Sequence, residues 1–181
     1  MGAPTRIRSE ACPDGDTTEF KMISAIRNRI YPVIIVVLLL IIAAMAYKFI
    51  VAGSTERTQD GRIAIILEPA ERDLVLREMR GFVEGLQKIT EALSKDDMKG
   101  VAKAARPMGT SRARDVPLGI MGKLPLEFKK LAFSTHGGFD TIAMDAETLA
   151  MPKHTLGQLS EVLRNCAACH SGYQIKATTP N

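Results

Sequence analysis

Two thiols and an imidazole stand within five residues near the C-terminal end of the chain, in the run Cys166-Ala167-Ala168-Cys169-His170. Thiols at that spacing can add across the two vinyl groups of a haem as thioethers while the imidazole binds the iron, so the run reads as a covalent c-type haem attachment site. Positions 166, 169 and 170 fall at i, i+3 and i+4, which on a helix sends all three side chains from one face toward one planar group. Two other chemistries use the same residue types. A thioredoxin-like redox pair belongs between a strand and a helix N-terminus, where the dipole lowers a thiol pKa, whereas the residues before Cys166 carry a helical pattern. A zinc site would need the adjacent Cys169 and His170 at two vertices of one tetrahedron, and the chain has no second Cys pair to complete it.

The elements that position this motif are helical in pattern. A last helix is expected from about Thr155 to Ile175, where Leu156, Leu159, Leu163, Cys166 and His170 keep a three-four rhythm that makes the haem ligand part of the apolar seam. Upstream, Val75, Met79, Phe82, Leu86, Ile89 and Leu93 form the same kind of seam on a helix from Pro69 to Ser94, with Pro at its first position. A short helix from Asp96 to Arg106 presents Val101, Ala102 and Ala105, and the Gly- and Pro-containing stretch Pro107 to Lys123 reads as a long exposed loop. A third long helix starts near Pro125, with Phe128, Leu131, Phe139 and Ile142 on one side and Gly137-Gly138 interrupting it or admitting a close neighbour. Ile63 to Leu67 would be an isolated strand and is read instead as the approach to the Pro69 helix. The fold class is therefore all-α, an antiparallel four-helix bundle over residues 67–181 with covalently attached haem, preceded by one N-terminal transmembrane helix.

That anchor is read over residues 30–53. Ile30 to Tyr47 carries no charge, Lys48 can snorkel, and the run continues to Gly53, enough helix to cross a bilayer core of about 30 Å. Pro32 falls in its first turn, and Tyr31 and Tyr47 sit near headgroup level. The rival reading is a signal peptide cleaved after Ala44-Met45-Ala46. Lys21, Arg27 and Arg29 precede the span, so residues 1–29 are expected in the cytoplasm as a disordered tail, with Cys12 a free thiol in it. Residues 54–66 are expected to be a polar linker. The haem domain would face the periplasm of a bacterial inner membrane, where covalent haem attachment takes place.

No methionine follows His170, so any protein sixth ligand must come from upstream. The late motif followed by Tyr173, the amphipathic helix before it, and Leu76-Arg77-Glu78-Met79-Arg80 in the first helix together resemble the cytochrome c-prime family, over roughly Leu67 to Ile175. The resemblance implies a four-helix bundle with one haem c and, as in low-spin members, a distal Met ligand at Met79. Family members often carry Arg or Lys where this chain has Gln174, which leaves the role of that position open. Gly81 and Gly85 near Met79 would let a macrocycle approach the backbone. His136 is an alternative iron ligand, and a vacant sixth position is a third arrangement. His154 reads as a residue near a helix start. Met98, Met108, Met121, Met144 and Met151 read as packing or loop residues.

Coordination decides function. A six-coordinate His/Met iron suits an electron carrier in a respiratory or photosynthetic chain, a five-coordinate iron suits a protein that binds nitric oxide or other small gases, and a haem-bearing accessory subunit of a larger membrane redox complex is a third reading. No catalytic constellation stands out, so an enzyme is not expected. The 181 residues carry a net charge of +4. Basic side chains dominate from Lys99 to Lys130 and could steer an acidic redox partner. Membrane lipid and a second copy of the chain are further partners; nucleic acid is not, because the chain offers no aromatic platform for bases.

Overall fold

The computed structural model describes the backbone of residues 16–178 and the side chains of residues 29–178. Helix α1 (Asp16–Ala46) runs on into a π-helical segment, Tyr47–Ala52. Within them, Arg29–Ala52 is long and apolar enough to cross a membrane, a test that a signal sequence also passes. The tail expected to be disordered through residue 29 is helical from Asp16 onward. Glu19, Lys21, Met22, Ala25 and Arg27 are good helix formers, and extending an existing helix needs no new nucleus. Pro32 therefore lies inside the helix rather than in its first turn. Residues 1–15, Cys12 among them, lie outside the described residues.

The chain divides into an N-terminal unit ending at Ala44 and a second unit beginning at Met45. In the second unit, Tyr47–Ala52 is tied down firmly. Lys129 donates from Nζ to the Phe49 and Ile50 carbonyls at 3.1 Å each. Ser54 N–H donates to the Lys123 carbonyl at 2.7 Å. Gly53 turns the chain at φ 66° where a Cβ would run into the backbone of Lys123 to Pro125, so both its angle and its space require glycine.

Residues 54–66 are not a linker. Strand β1 (Thr55–Arg57) pairs antiparallel with β2 (Ile63–Leu67), and β2 pairs in parallel with β3 (Tyr173–Ala177), Ile63 standing opposite Tyr173. Central in the sheet, β2 buries Ala64, Ile65 and Leu67, which explains its unbroken apolar run. Asp60 fastens the β1–β2 turn by accepting from the Thr58 hydroxyl at 2.5 Å and the Arg62 N–H at 3.2 Å. These two partners hold its carboxyl well below the usual carboxylate range.

Helix α2 spans Pro69–Ser94, as its periodicity predicts. Glu71 accepts from the Glu68 N–H at 2.9 Å and from Lys123 Nζ at 2.6 Å, which caps the helix and ties it to a distant segment. Then come α3 (Met98–Ala105), a 3₁₀ turn (Arg106–Met108), α4 (Thr110–Ala113), α5 (Leu118–Lys123), α6 (Leu126–Thr148) and α7 (Pro152–Gly172). The expected exposed loop at 107–123 is mostly helical and partly buried through Met108 and Ile120. Two contacts hold it. The Met108 side chain fills the space that a Cβ on Gly85 would take. Asp140 accepts from the Thr110 N–H and hydroxyl at 2.9 and 2.7 Å.

α6 and α7 lie antiparallel, with Asn165 donating to Ser134 at 3.0 Å and Gly138 facing Val162. Gly137-Gly138 does not interrupt α6; a Cβ at Gly138 would lie 2.6 Å from Val162 Cγ2, so glycine here admits a neighbour. That contact also selects the inner face of α7. Thr155, Leu159 and Val162 point inward, whereas Leu156 and Leu163, expected in the seam, are 53% and 45% exposed. α7 ends at Gly172, and the residues to Ile175 that were expected to continue it form β3 instead.

The second unit is thus mostly helical, as expected, but it contains a small sheet that an all-α reading does not. Two apolar clusters form its core. One joins Ile89 and Leu93 of α2 to Val101, Phe139, Ile142 and Val162. The other joins Ile65 and Leu67 of β2 to Ile120, Leu124 and Phe128.

Candidate functional site

The seam of α2 does two different things. Ile89 and Leu93 are buried in the first cluster, whereas Val75, Met79 and Phe82, toward the N-terminal half, line a cavity of about 360 Å³. Its other walls come from α5 (Ile120, Met121), α6 (Phe128, Leu131, His136) and α7 (Cys166, Cys169, His170). Residues more than ninety positions apart in sequence therefore share one space. The two thiols also touch different parts of the core, Cys166 packing on the first cluster and Cys169 on the second.

Both thiols are unbonded and partly buried. Burial pushes Cys166 up, and burial together with the neighbouring Cys166 pushes Cys169 from 9.0 up to about 11. This is the wrong direction for a thioredoxin-like pair, whose nucleophile needs a depressed pKa. It suits thiols waiting in an apolar wall. In haem-free protein at pH 8 the thiolate fraction of Cys169 should fall about a hundredfold below that of an ordinary thiol. Alkylation of Cys169 by iodoacetamide, followed by peptide mass, is expected to be slower by about that factor in folded protein than in urea-unfolded protein. Equal rates would show that the thiol is not held in this wall.

His170 is exposed at the cavity margin, near the end of α7. His136 is 7% exposed, and its Nδ1–H donates to the Met108 carbonyl at 2.7 Å. The Phe82 ring lies beside it with centroids 5.2 Å apart. Tyr173, the aromatic residue after the motif, meets Phe128 edge-on at 5.4 Å, and burial raises its pKa. His154 sits away from the cavity and pairs with Asp145 at 3.0 Å.

One sequence expectation changes here. Gly81 and Gly85 do not line this cavity; Gly85 admits the Met108 side chain, whereas a Cβ at Gly81 would meet Arg112 only at ordinary contact distance. Half of the eight basic residues in the stretch Lys99 to Lys130 form ion pairs: Arg106 with Glu147, Arg112 with Glu78, Lys123 with Glu71 and Lys130 with Glu127. Three of the four acidic partners lie on other elements or more than thirty residues away, where a local charge count cannot see them. Conversely, Met121, Arg112 and Lys129 line the cavity although nothing in their sequence neighbourhood marks them.

Two thiols and an imidazole on one wall are a donor set that could hold a covalent haem. Among the described residues, no three His, Cys, Asp or Glu side chains gather as a chelating group for a bare ion. The thiols and imidazole of α7 instead share the wall of one cavity, within the size range of small-molecule and cofactor sites. Its lining is mainly apolar and includes Arg112, which is paired with Glu78, and Lys129, which donates to the Phe49 and Ile50 carbonyls. No protein-family model, curated protein or solved structure matches the chain. The functional argument therefore rests on the site itself.

Proposed function

We propose that the protein is a membrane-anchored c-type cytochrome, an electron carrier with one haem held in the cavity of an antiparallel four-helix bundle. Cys166 and Cys169 would hold the haem covalently, and His170 would bind its iron from the proximal side. One observation carries the reading: two thiols and an imidazole at i, i+3 and i+4 on α7 border the same mainly apolar cavity, which Met79 and His136 also line. The haem supplies a one-electron couple when bound. The chain does the rest. Phe82, Phe128 and Leu131 would keep water from the site, and a side chain from the cavity wall would hold the iron so that electrons could pass without ligand exchange.

The apolar segment supports a single-pass location in a bacterial inner membrane, and Lys21, Arg27 and Arg29 before it favour a cytoplasmic start and a periplasmic haem domain. The partner would then be another redox protein or a larger membrane complex of a respiratory or photosynthetic chain. The test is the full chain made in a bacterium able to attach haem covalently. Denatured protein should keep a mass increase of one haem, and a reporter fused after Asn181 should be active only in the periplasm. A chain that stays haem-free, or a reporter active in the cytoplasm, would overturn the corresponding half of this reading. Ready binding of carbon monoxide by the reduced protein would replace the electron carrier with a gas-binding protein.

A further inference from the structure

We infer that His136, and not Met79, is the sixth ligand of the haem iron; the inference rests on the haem reading proposed above and names a residue within the same site. Both side chains line the cavity. What separates them is how each is held.

His136 is fixed by burial and two contacts. It is buried, its Nδ1–H donates to the Met108 carbonyl at 2.7 Å, and the Phe82 ring limits its rotation. A backbone carbonyl only accepts, so Nδ1 carries the proton and the lone pair is left on Nε2. Among the described residues Nε2 has no hydrogen-bond partner. A hydrogen bond from the non-ligating ring nitrogen to a carbonyl is the support that metal-bound histidines ordinarily have, since it sets both tautomer and ring orientation.

The carbonyl that gives this support is itself held in place. The Met108 side chain fills the space above Gly85, and two residues on Asp140 takes both the N–H and the hydroxyl of Thr110. His136 and Asp140 stand at i and i+4 on α6, so one helix face grips residues 108 to 110 at two points. Met79 has a flexible thioether side chain and no comparable brace, so fixing it on an iron would cost rotamer entropy that His136 has already lost on folding.

Bis-histidine ligation has a functional consequence. A Met ligand raises the potential of a c-type haem, and an iron held by His170 and His136 lacks that increase, which suits exchange with lower-potential partners.

The experiment uses the haem-loaded full chain in detergent. Wild-type protein should be low-spin in both oxidation states, with a ferric electron paramagnetic resonance spectrum of the bis-imidazole type and without the near-infrared band that marks a Met–iron bond. His136→Ala should become high-spin and bind carbon monoxide when reduced. His136→Met keeps the site filled should the alanine variant fold poorly, and it should gain the Met band and a higher potential. Met79→Ala and Met121→Ala should leave the wild-type spectrum intact. A Met–iron band in the wild type, a high-spin wild type, or loss of the low-spin state in Met79→Ala would overturn the assignment. Failure to attach haem at all is seen separately, as an unchanged protein mass, and would overturn the haem reading itself.

Discussion

Replacing both Cys166 and Cys169 with alanine is expected to give a chain that folds and reaches the membrane but carries no covalent haem. Each thiol is partly buried, and a free Cys behaves in a wall of this kind as a small hydrophobe, so removing its sulfur loses little packing. The destabilisation should stay near 1 kcal/mol for each position, in the usual range for a modest change at a partly buried site. The chemical effect is all or none. With no sulfur at either position no thioether can form, and the mass increase that survives denaturation in the parent should vanish. Either single variant should keep one thioether and a smaller yield. Circular dichroism close to the parent's would show that the loss is chemical and not a failure to fold. Covalent haem persisting in the double variant would sink the attachment assignment.

The second large effect is on stability. Phe139 is fully buried, stacks on Phe82 with centroids 5.6 Å apart and an interplanar angle of 14°, and belongs to the cluster that joins α2, α3, α6 and α7. Phe139→Ala should cost about 3–5 kcal/mol, from lost transfer free energy and from the void left behind. Phe82, which also lines the cavity, would lose the ring it stacks on, so stability and haem retention should fall together. Leu163→Ala is the control. That residue is 45% exposed despite its place in the leucine rhythm, and its removal should change stability by about 0.5 kcal/mol or less. Urea unfolding of the detergent-purified chain, followed by circular dichroism, measures both. Similar losses in the two variants would mean that α7 packs through its leucine face and not through Val162.

How much of this could be read in the sequence depended on the range of the contact involved. Pro69 and the seam from Val75 to Leu93 marked α2 because a helix carries its own periodicity and caps. The thiols, His170 and His136 were nameable from spacing and residue type, Met79 through the helix seam and the family resemblance, and all five line one cavity. What escaped was whatever a distant residue decides. The run from Ile63 to Leu67 looked isolated because its strand partner begins at Tyr173. Met108 looked like a loop residue because its burial depends on Gly85. The inner face of α7 was misplaced because Gly138, on another helix, selects Val162 over Leu163.

The pairing of β2 with β3 also imposes an order of events. Parallel strands need a crossover, and here the whole helical region serves as that crossover, since Ile63 waits for Tyr173, 110 residues later. On the topology proposed above, β2 would cross the membrane early, with one edge open until α7 and β3 had followed. The segment Cys166 to His170 and the strand that closes the sheet would arrive together.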